Sequence, residues 1–248
     1  MREFPLIGLA KERARLAEAL RKRQPLLLLG PAGAGKSVLI QAALVDLPTS
    51  HHAIKIPYTS NLHHLLIDLA RVLFESGHRS FLRQWRPDSD VEKWLSHQTS
   101  AHLKGMLWTS LEAEPRTIIL DGIDRASFPA YRFFQRLYFV EGMALVVAAR
   151  DPACLGALGR LFWDPRATLH LEPLNHVDSM RLFDIAAEQV GLLDLDVHEF
   201  RDKVLESARG NPGQIVEMCR MASNPMYVSG RHIKFAPLRI DVLTRFLG

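Results

Sequence analysis

The chain has 248 residues, 48% hydrophobic and 23% charged, with 31 Lys and Arg against 27 Asp and Glu for a net charge of +4. Those shares belong to an ordinary globular protein, so intrinsic disorder and collagen-like repetition are excluded, and the length allows one large domain or a main domain with a small appendage. No apolar run approaches the roughly 18 residues of a membrane span, and the first residues hold no apolar core of signal-peptide length, so a cytoplasmic protein is expected. Cys154 and Cys219 have no CxxC partner and no His at metal-binding spacing, which predicts two buried free thiols. The charge excess has an address: residues 220–248 hold Arg220, Arg231, Lys234, Arg239 and Arg245 against Asp241 alone. The rest of the chain is balanced, so an acidic partner would touch this C-terminal piece.

Residues 10–23 place Ala10, Ala14, Leu16, Ala17 and Leu20 along one helical face. Residues 25–29 are an all-apolar run, the pattern of a strand buried on both sides. After a glycine turn, residues 37–46 read as a helix with Val38, Leu39, Ala42 and Leu44 inward. Residues 53–58 alternate as a strand, 62–74 are helical, and 91–112 read as one longer helix with Asp88, Ser89 and Asp90 as candidate N-caps. Strands are predicted again at 117–120, 144–149 and 168–171. Five strands joined by helix-like segments predict an α/β fold with a parallel sheet covered on both faces. Helices at 177–190, 197–208 and 213–221 follow without strands between them, so a C-terminal helical lid subdomain is expected, with its boundary near 171–174. Leu238, Val242 and Phe246 recur every four residues after Pro237, which predicts a short amphipathic helix starting at that proline.

Gly30-Pro31-Ala32-Gly33-Ala34-Gly35-Lys36-Ser37 fits G-x-x-x-x-G-K-[ST] in full, between an apolar strand and a helix. Glycines let backbone amides turn toward phosphate oxygens, and the helix N-terminus adds partial positive charge. In that frame Lys36 reaches the terminal phosphates, the Ser37 hydroxyl ligates Mg²⁺, and Val38 follows in the nucleotide-contacting stretch. A second carboxylate for the metal is needed at the end of a neighbouring strand. Arg116-Thr117-Ile118-Ile119-Leu120-Asp121 supplies Asp121. The next residue is Gly122, where many such ATPases carry the acid that orients the attacking water. Either Asp124 reaches in from the following turn, or hydrolysis is slow.

The set resembles the AAA+-related signal-transduction ATPases with numerous domains, the STAND group, and their archaeal-type and origin-recognition relatives, over residues 3–222. Phe4-Pro5-Leu6-Ile7-Gly8 with Glu12 resembles the family's F-x-G-R-x-x-E, which implies that Ile7 and Gly8 run beside the adenine; Leu9 stands where the family has arginine. Leu145-Val146-Val147-Ala148-Ala149-Arg150-Asp151 resembles the strand ending in a phosphate-sensing arginine, which implies that role for Arg150, with alanines replacing the hydroxyl residues before it. Leu171-Glu172-Pro173-Leu174-Asn175 resembles the linker into the lid. Gly210-Asn211-Pro212-Gly213 resembles the G-x-P turn, which implies that Pro212 packs near the base.

The resemblance implies a P-loop NTPase fold, with residues 1–172 as the nucleotide-binding α/β domain, 173–222 as the helical lid and 223–248 as a basic tail. It implies ATP and ADP with Mg²⁺ as ligands, Lys36, Asp121, Asp124 and Arg150 as the catalytic set, and Ser37 and Asp121 on the metal. The expected function is an ATPase acting as a nucleotide-controlled switch or assembly factor, with a protein partner or as a homo-oligomer. Two other classes stay open. A DNA-associated ATPase is favoured by the C-terminal charge and by Arg79, Arg83 and Arg86 around Trp85 and Trp94. A non-hydrolysing nucleotide-binding scaffold is favoured by Gly122. Arg125, Arg132, Arg136 and Arg160 are all candidates for an arginine acting in trans. His51, His52, His63 and His64 come as adjacent pairs whose side chains point apart, so no metal site is expected there, and Phe162 and Trp163 are expected to pack at the sheet edge.

Overall fold

The computed structural model describes residues 4–48, 53–84 and 90–247. In chain order, α1 (Ala10–Arg21), β1 (Leu26–Leu29), α2 (Lys36–Val45), β2 (Ala53–Pro57) and α3 (Leu62–Glu75) come first. Then follow α4 (Arg79–Leu82), α5 (Val91–Ser96), α6 (Ser100–Ala113), β3 (Thr117–Ile123), α7 (Phe128–Tyr138), β4 (Ala144–Ala149) and β5 (Thr168–His170), with two 3₁₀ segments between β4 and β5. The chain closes with α8 (His176–Gln189), α9 (Val197–Ala208), α10 (Pro212–Ala222), β6 (Val228–Ser229), β7 (His232–Ile233) and α11 (Phe235–Leu247). It divides into two compact units, one of Glu12–Leu29 with Ile40–His170 and one of Met1–Lys11, Gly30–Leu39 and Leu171–Gly248.

The first unit holds a five-stranded, all-parallel sheet in the order β2-β3-β4-β1-β5. β1 and β4 are buried at every position, as strands covered on both faces must be, whereas edge strand β2 buries only Ile54 and Ile56. Parallel pairing brings all carboxyl ends to one edge: Leu29 ahead of Gly30, Asp121 near the end of β3, and Ala149 ahead of Arg150. One core joins Ile118, Leu120 and Val147 to Leu66 and Leu69 of α3, Leu107 of α6 and Phe134 of α7.

Several local expectations change. The helix expected over 91–112 is two helices, because the Thr99 hydroxyl accepts the His102 N–H at 3.2 Å and starts α6 afresh. Asp90 caps α5 by accepting the Lys93 N–H at 3.0 Å; the other cap candidates, Asp88 and Ser89, lie outside the described residues, as do Trp85, Arg86, His51 and His52. Leu39 is buried as expected, but Val38 is 49% exposed, and α2 also buries Ile40 and Ala43, a stripe one position further round the helix. In α1 the apolar face runs through Leu16, Ala17, Ala19 and Leu20, leaving Ala10 and Ala14 exposed. Phe162 is buried but Trp163 is 80% exposed, since consecutive residues after a 3₁₀ turn point apart. Cys219 is buried, which pushes its thiol up to about 12, while Cys154 is only half-buried.

In the second unit, Asn175 caps α8 by accepting the Asp178 N–H at 2.9 Å. Phe183, Phe200 and Phe235 form a ring chain linking α8, α9 and α11, with centroids 5.9 and 6.2 Å apart. α11 begins at Phe235, two residues before the expected start. Pro237 is therefore its third residue, still among the first four whose N–H has no intrahelical acceptor. Leu238 and Val242 are fully buried as α11 packs on α10 and α9. The tail also contains the β6–β7 hairpin, turning at Gly230 with φ +62°. Tyr227 donates to Asp241 at 2.5 Å and ties this hairpin to α11. Among the described residues no helix is long and apolar enough to cross a membrane.

Candidate functional site

The P-loop belongs to the second unit. Gly33 and Gly35 hold φ of +80° and +91°, conformations that a side chain opposes, so glycine is the physical requirement at both. The Ala34 N–H bonds the Pro31 carbonyl at 3.1 Å, and the Leu39 N–H bonds the Gly35 carbonyl at 2.8 Å to open α2. A side chain on Gly30 would crowd Leu171 and Ala34. Lys36 Nζ donates to the carbonyls of Gly30 at 2.5 Å and Pro31 at 2.9 Å, lying back along its own loop. Ser37 and Val38 are exposed in the first turn of α2.

The turn between α9 and α10 sits directly on this loop. Asn211 caps α10, its Oδ1 accepting the Gln214 N–H at 3.1 Å while its Nδ2 donates to the Ala32 carbonyl at 2.8 Å. Gly213 donates its N–H to the Gly33 carbonyl at 2.9 Å, and a Cβ at position 213 would stand 2.6 Å from Gly33 Cα. Pro212, at the first position of α10, lies with Leu9 against Gly35: a Cβ there would be 3.9 Å from Pro212 Cγ and 3.5 Å from Leu9 Cδ1. Leu9, which replaces the family's arginine, is thus a buried apolar contact. Gly8 turns at φ +73° beside Leu174 and Asp178, and its neighbour Ile7 is buried. Sequence reading did not single out Asn211 or Gly213 as P-loop contacts. The available signal was a glycine inside a first helical turn, which marks close backbone approach.

In the first unit, Asp121 occupies a β-bulge. β3 pairs with β4 in register up to Leu120↔Val147, then slips before Ile123↔Ala149, while Asp121 still pairs with Pro57 of β2. Gly122 takes φ +78° at the slip. Lys55 Nζ of β2 lies 3.0 Å from Asp121 Oδ2, with side chains 31% and 11% exposed. Lys55 went unnoticed in the sequence, where it looks like one polar position in an alternating strand. Asp124 is exposed and its Oδ1 accepts the Arg125 N–H at 2.7 Å. Arg150 is exposed just beyond β4, on the same sheet edge as Asp121, and the following Asp151 caps a 3₁₀ segment through Ala153 at 2.8 Å. The Ser37 hydroxyl and the Asp121 carboxylate are hard oxygen donors of the class that Mg²⁺ takes. His63 Nδ1 pairs with Ser100 Oγ at 3.0 Å, and among the described residues no cluster of three or more His, Cys, Asp and Glu can hold a metal. Of the candidate trans arginines, Arg136 is held over the Trp108 ring at 4.4 Å and paired with Glu112 at 2.8 Å.

Among solved structures, a Walker-type ATPase of Pyrococcus abyssi is similar with a TM-score of 0.58 at 15% identity, over 98% of this chain and 71% of that one. A signal transduction ATPase with numerous domains and a tetratricopeptide repeat sensor, from Pyrococcus horikoshii, is similar with a TM-score of 0.51 at 14% identity. That match covers 98% of this chain but 33% of the other, so this chain spans about a third of its length. At such identities the likeness is one of fold, a five-stranded parallel sheet with flanking and C-terminal helices. No curated protein matches significantly. The family model described as an AAA domain matches residues 19–151, more than half of the chain, from the end of α1 past the P-loop and Asp121 to the residue after Arg150. The chain belongs to the AAA domain family.

Proposed function

We propose that this protein binds ATP with Mg²⁺ at its P-loop and acts as a slowly hydrolysing, nucleotide-controlled switch or assembly factor. The observation that supports this best is the pair of hydrogen bonds from Asn211 and Gly213 to the carbonyls of Ala32 and Gly33. Peptide units are rigid, so a loop that turns its amides toward phosphates also moves those carbonyls. The nucleotide state then biases α10, and a ligand shifts such an equilibrium only through contacts that differ between its states. For ATP against ADP, the differential group is the terminal phosphate.

In this reading the amides of Gly30 to Lys36 cradle the phosphates and Lys36 leaves its loop carbonyls for the terminal ones. Ser37 and Asp121 hold Mg²⁺, which supplies positive charge against the phosphate oxygens when bound. Ile7, Gly8, Val38 and Pro212 border the base, and Arg150 senses the terminal phosphate. Gly122 and the turned-back Asp124 leave water poorly oriented, hence slow turnover. Residues 1–172 serve as nucleotide-binding domain, 173–222 as lid, and 223–248 as an addition to the lid. The DNA-associated reading loses support, because Arg245 and Arg220 both pair with Glu217, at 2.5 and 3.2 Å, which neutralises part of the C-terminal charge. The reading favours a protein or a second copy of the chain as partner.

Calorimetric titration with ATP and ADP, with Mg²⁺ and in EDTA, tests the binding step. Lys36→Ala should weaken ATP at least tenfold while leaving the unfolding midpoint unchanged; equal affinity would refute the P-loop assignment. Hydrogen exchange tests the switch: the amides of residues 210–214 should exchange differently in the ATP and ADP states, and identical exchange would remove the lid from the mechanism.

A further inference from the structure

Behind the P-loop, the second unit contains a cavity of about 490 Å³. Its volume is that of a small-molecule site. The loop contributes Pro31 and Ala34 to its wall and α10 contributes Pro212, while Ile7, Gly8 and Lys36 to Val38 do not line it, so it adjoins the proposed nucleotide site and shares those three residues with it. The remaining walls come from the α9–α10 turn, the residues after β5, and α11.

The lining has two characters. Leu171, Phe235 and Leu243 give an apolar wall, and Arg209 and Arg239 bring two guanidinium groups to which no hydrogen bond or ion pair is assigned among the described residues. Two carboxylates, Glu172 and Glu206, also line the space. They oppose a polyanion and favour a ligand with one anionic group on an uncharged body.

Arg209 ends α9 at φ 46° and ψ 44°, a left-handed helix cap whose N–H donates to the Leu205 carbonyl at 3.1 Å, and glycine costs least in that conformation.

We propose that this cavity is a second ligand site, for a small organic monoanion such as a carboxylate or sulfonate with an aromatic or aliphatic body. Arg209 and Arg239 hold the anionic group, and the body lies against Phe235 and Leu243. The site adjoins Pro31 on one side and the Asn211–Pro212 turn on the other, so its occupancy bears on the same contact as the proposed switch.

The probe is 8-anilinonaphthalene-1-sulfonate, an aromatic sulfonate whose fluorescence rises on transfer to an apolar site, titrated into the full chain. One saturable site is expected, with affinity at least tenfold weaker in Arg209→Gly and in Arg239→Gln, and unchanged in Lys36→Ala. Arg209→Gly relieves the backbone, so its unfolding midpoint should equal or exceed that of the parent, and lost binding then cannot be ascribed to misfolding. Unchanged affinity in both arginine variants would overturn the proposal. So would a loss in Lys36→Ala equal to theirs, which would place the probe in the phosphate cradle. Because neither arginine lies in that cradle, failure here leaves the nucleotide reading intact.

Discussion

A glutamate at position 122 would have to hold φ near +78°, the angle Gly122 takes in the bulge after Asp121. No atom lies within 4 Å of the added Cβ, so the penalty is the backbone's alone, about 1–2 kcal/mol for a left-handed residue with a side chain. The missing acid is therefore a property of the bulge as well as of the sequence. Gly122→Glu should lower stability in urea by about 1 kcal/mol and leave single-turnover hydrolysis unimproved; an unchanged midpoint would contradict the bulge geometry. Lys55 makes a second residue-scale claim. Its ammonium occupies the carboxylate that the metal would use, and a partly exposed pair of this kind contributes no more than about 1 kcal/mol. Lys55→Met should thus cost little stability and tighten Mg²⁺-dependent ATP binding several-fold, with no change in EDTA. Weaker binding with Mg²⁺ would mean that the lysine itself meets phosphate.

At the scale of elements, α10 meets the P-loop through backbone atoms rather than side chains. Replacing glycine by alanine within a helix ordinarily stabilises by about 0.5–1 kcal/mol. At position 213 the sign should reverse, because the new Cβ would stand 2.6 Å from Gly33 Cα and must push the helix end off the loop. The Gly213 N–H would lose its acceptor, at a cost of about 1–3 kcal/mol if it stays buried. Gly213→Ala should therefore lower the thermal midpoint and weaken ATP binding together. A stabilised variant with parental affinity would show that the turn and the loop do not touch in solution. The asparagine before it belongs to the same device, since one side chain caps α10 and holds Ala32 at once.

For the molecule as a whole, acid sensitivity traces to a buried histidine far from any glycine motif. His78 is fully buried, its Nδ1 accepting the Phe81 N–H at 3.2 Å and its Nε2 donating to the Glu114 carbonyl at 2.9 Å, so the fold holds the neutral ring. Burial pushes its pKa below the ordinary 6.5. Below that pH the unfolded chain takes up a proton that the folded chain refuses, so this stability is complete above about 6.5 and lost as pH falls, by at most about 1.4 kcal/mol per unit. The Glu114 carboxyl titrates low despite burial, held down by the charge that a protonated His78 would carry 3.5 Å away and by Arg116, and it adds its own loss only under more acidic conditions. Thermal midpoints from pH 7.5 to 5.5 should fall in the parent and fall less in His78→Gln; equal slopes would acquit His78.

Local patterns in the sequence determined what depends on near neighbours. The P-loop glycines, the strand runs of β1 and β4, the cap at Asn175 and the count of parallel strands all follow from spacing within a few residues, because propensity, capping and periodicity act at that range. Tertiary structure alone decided the strand order, the slip that turns Asp121 and Gly122 out of register, and the meeting of Lys55 with Asp121 across 66 positions. It also decided the exposure of Val38 and Trp163, the β6–β7 hairpin, and the cavity that joins Pro31 to Arg209 and Leu243. These depend on which distant segments close into contact, and an amphipathic pattern states only that a face must be covered, not what covers it.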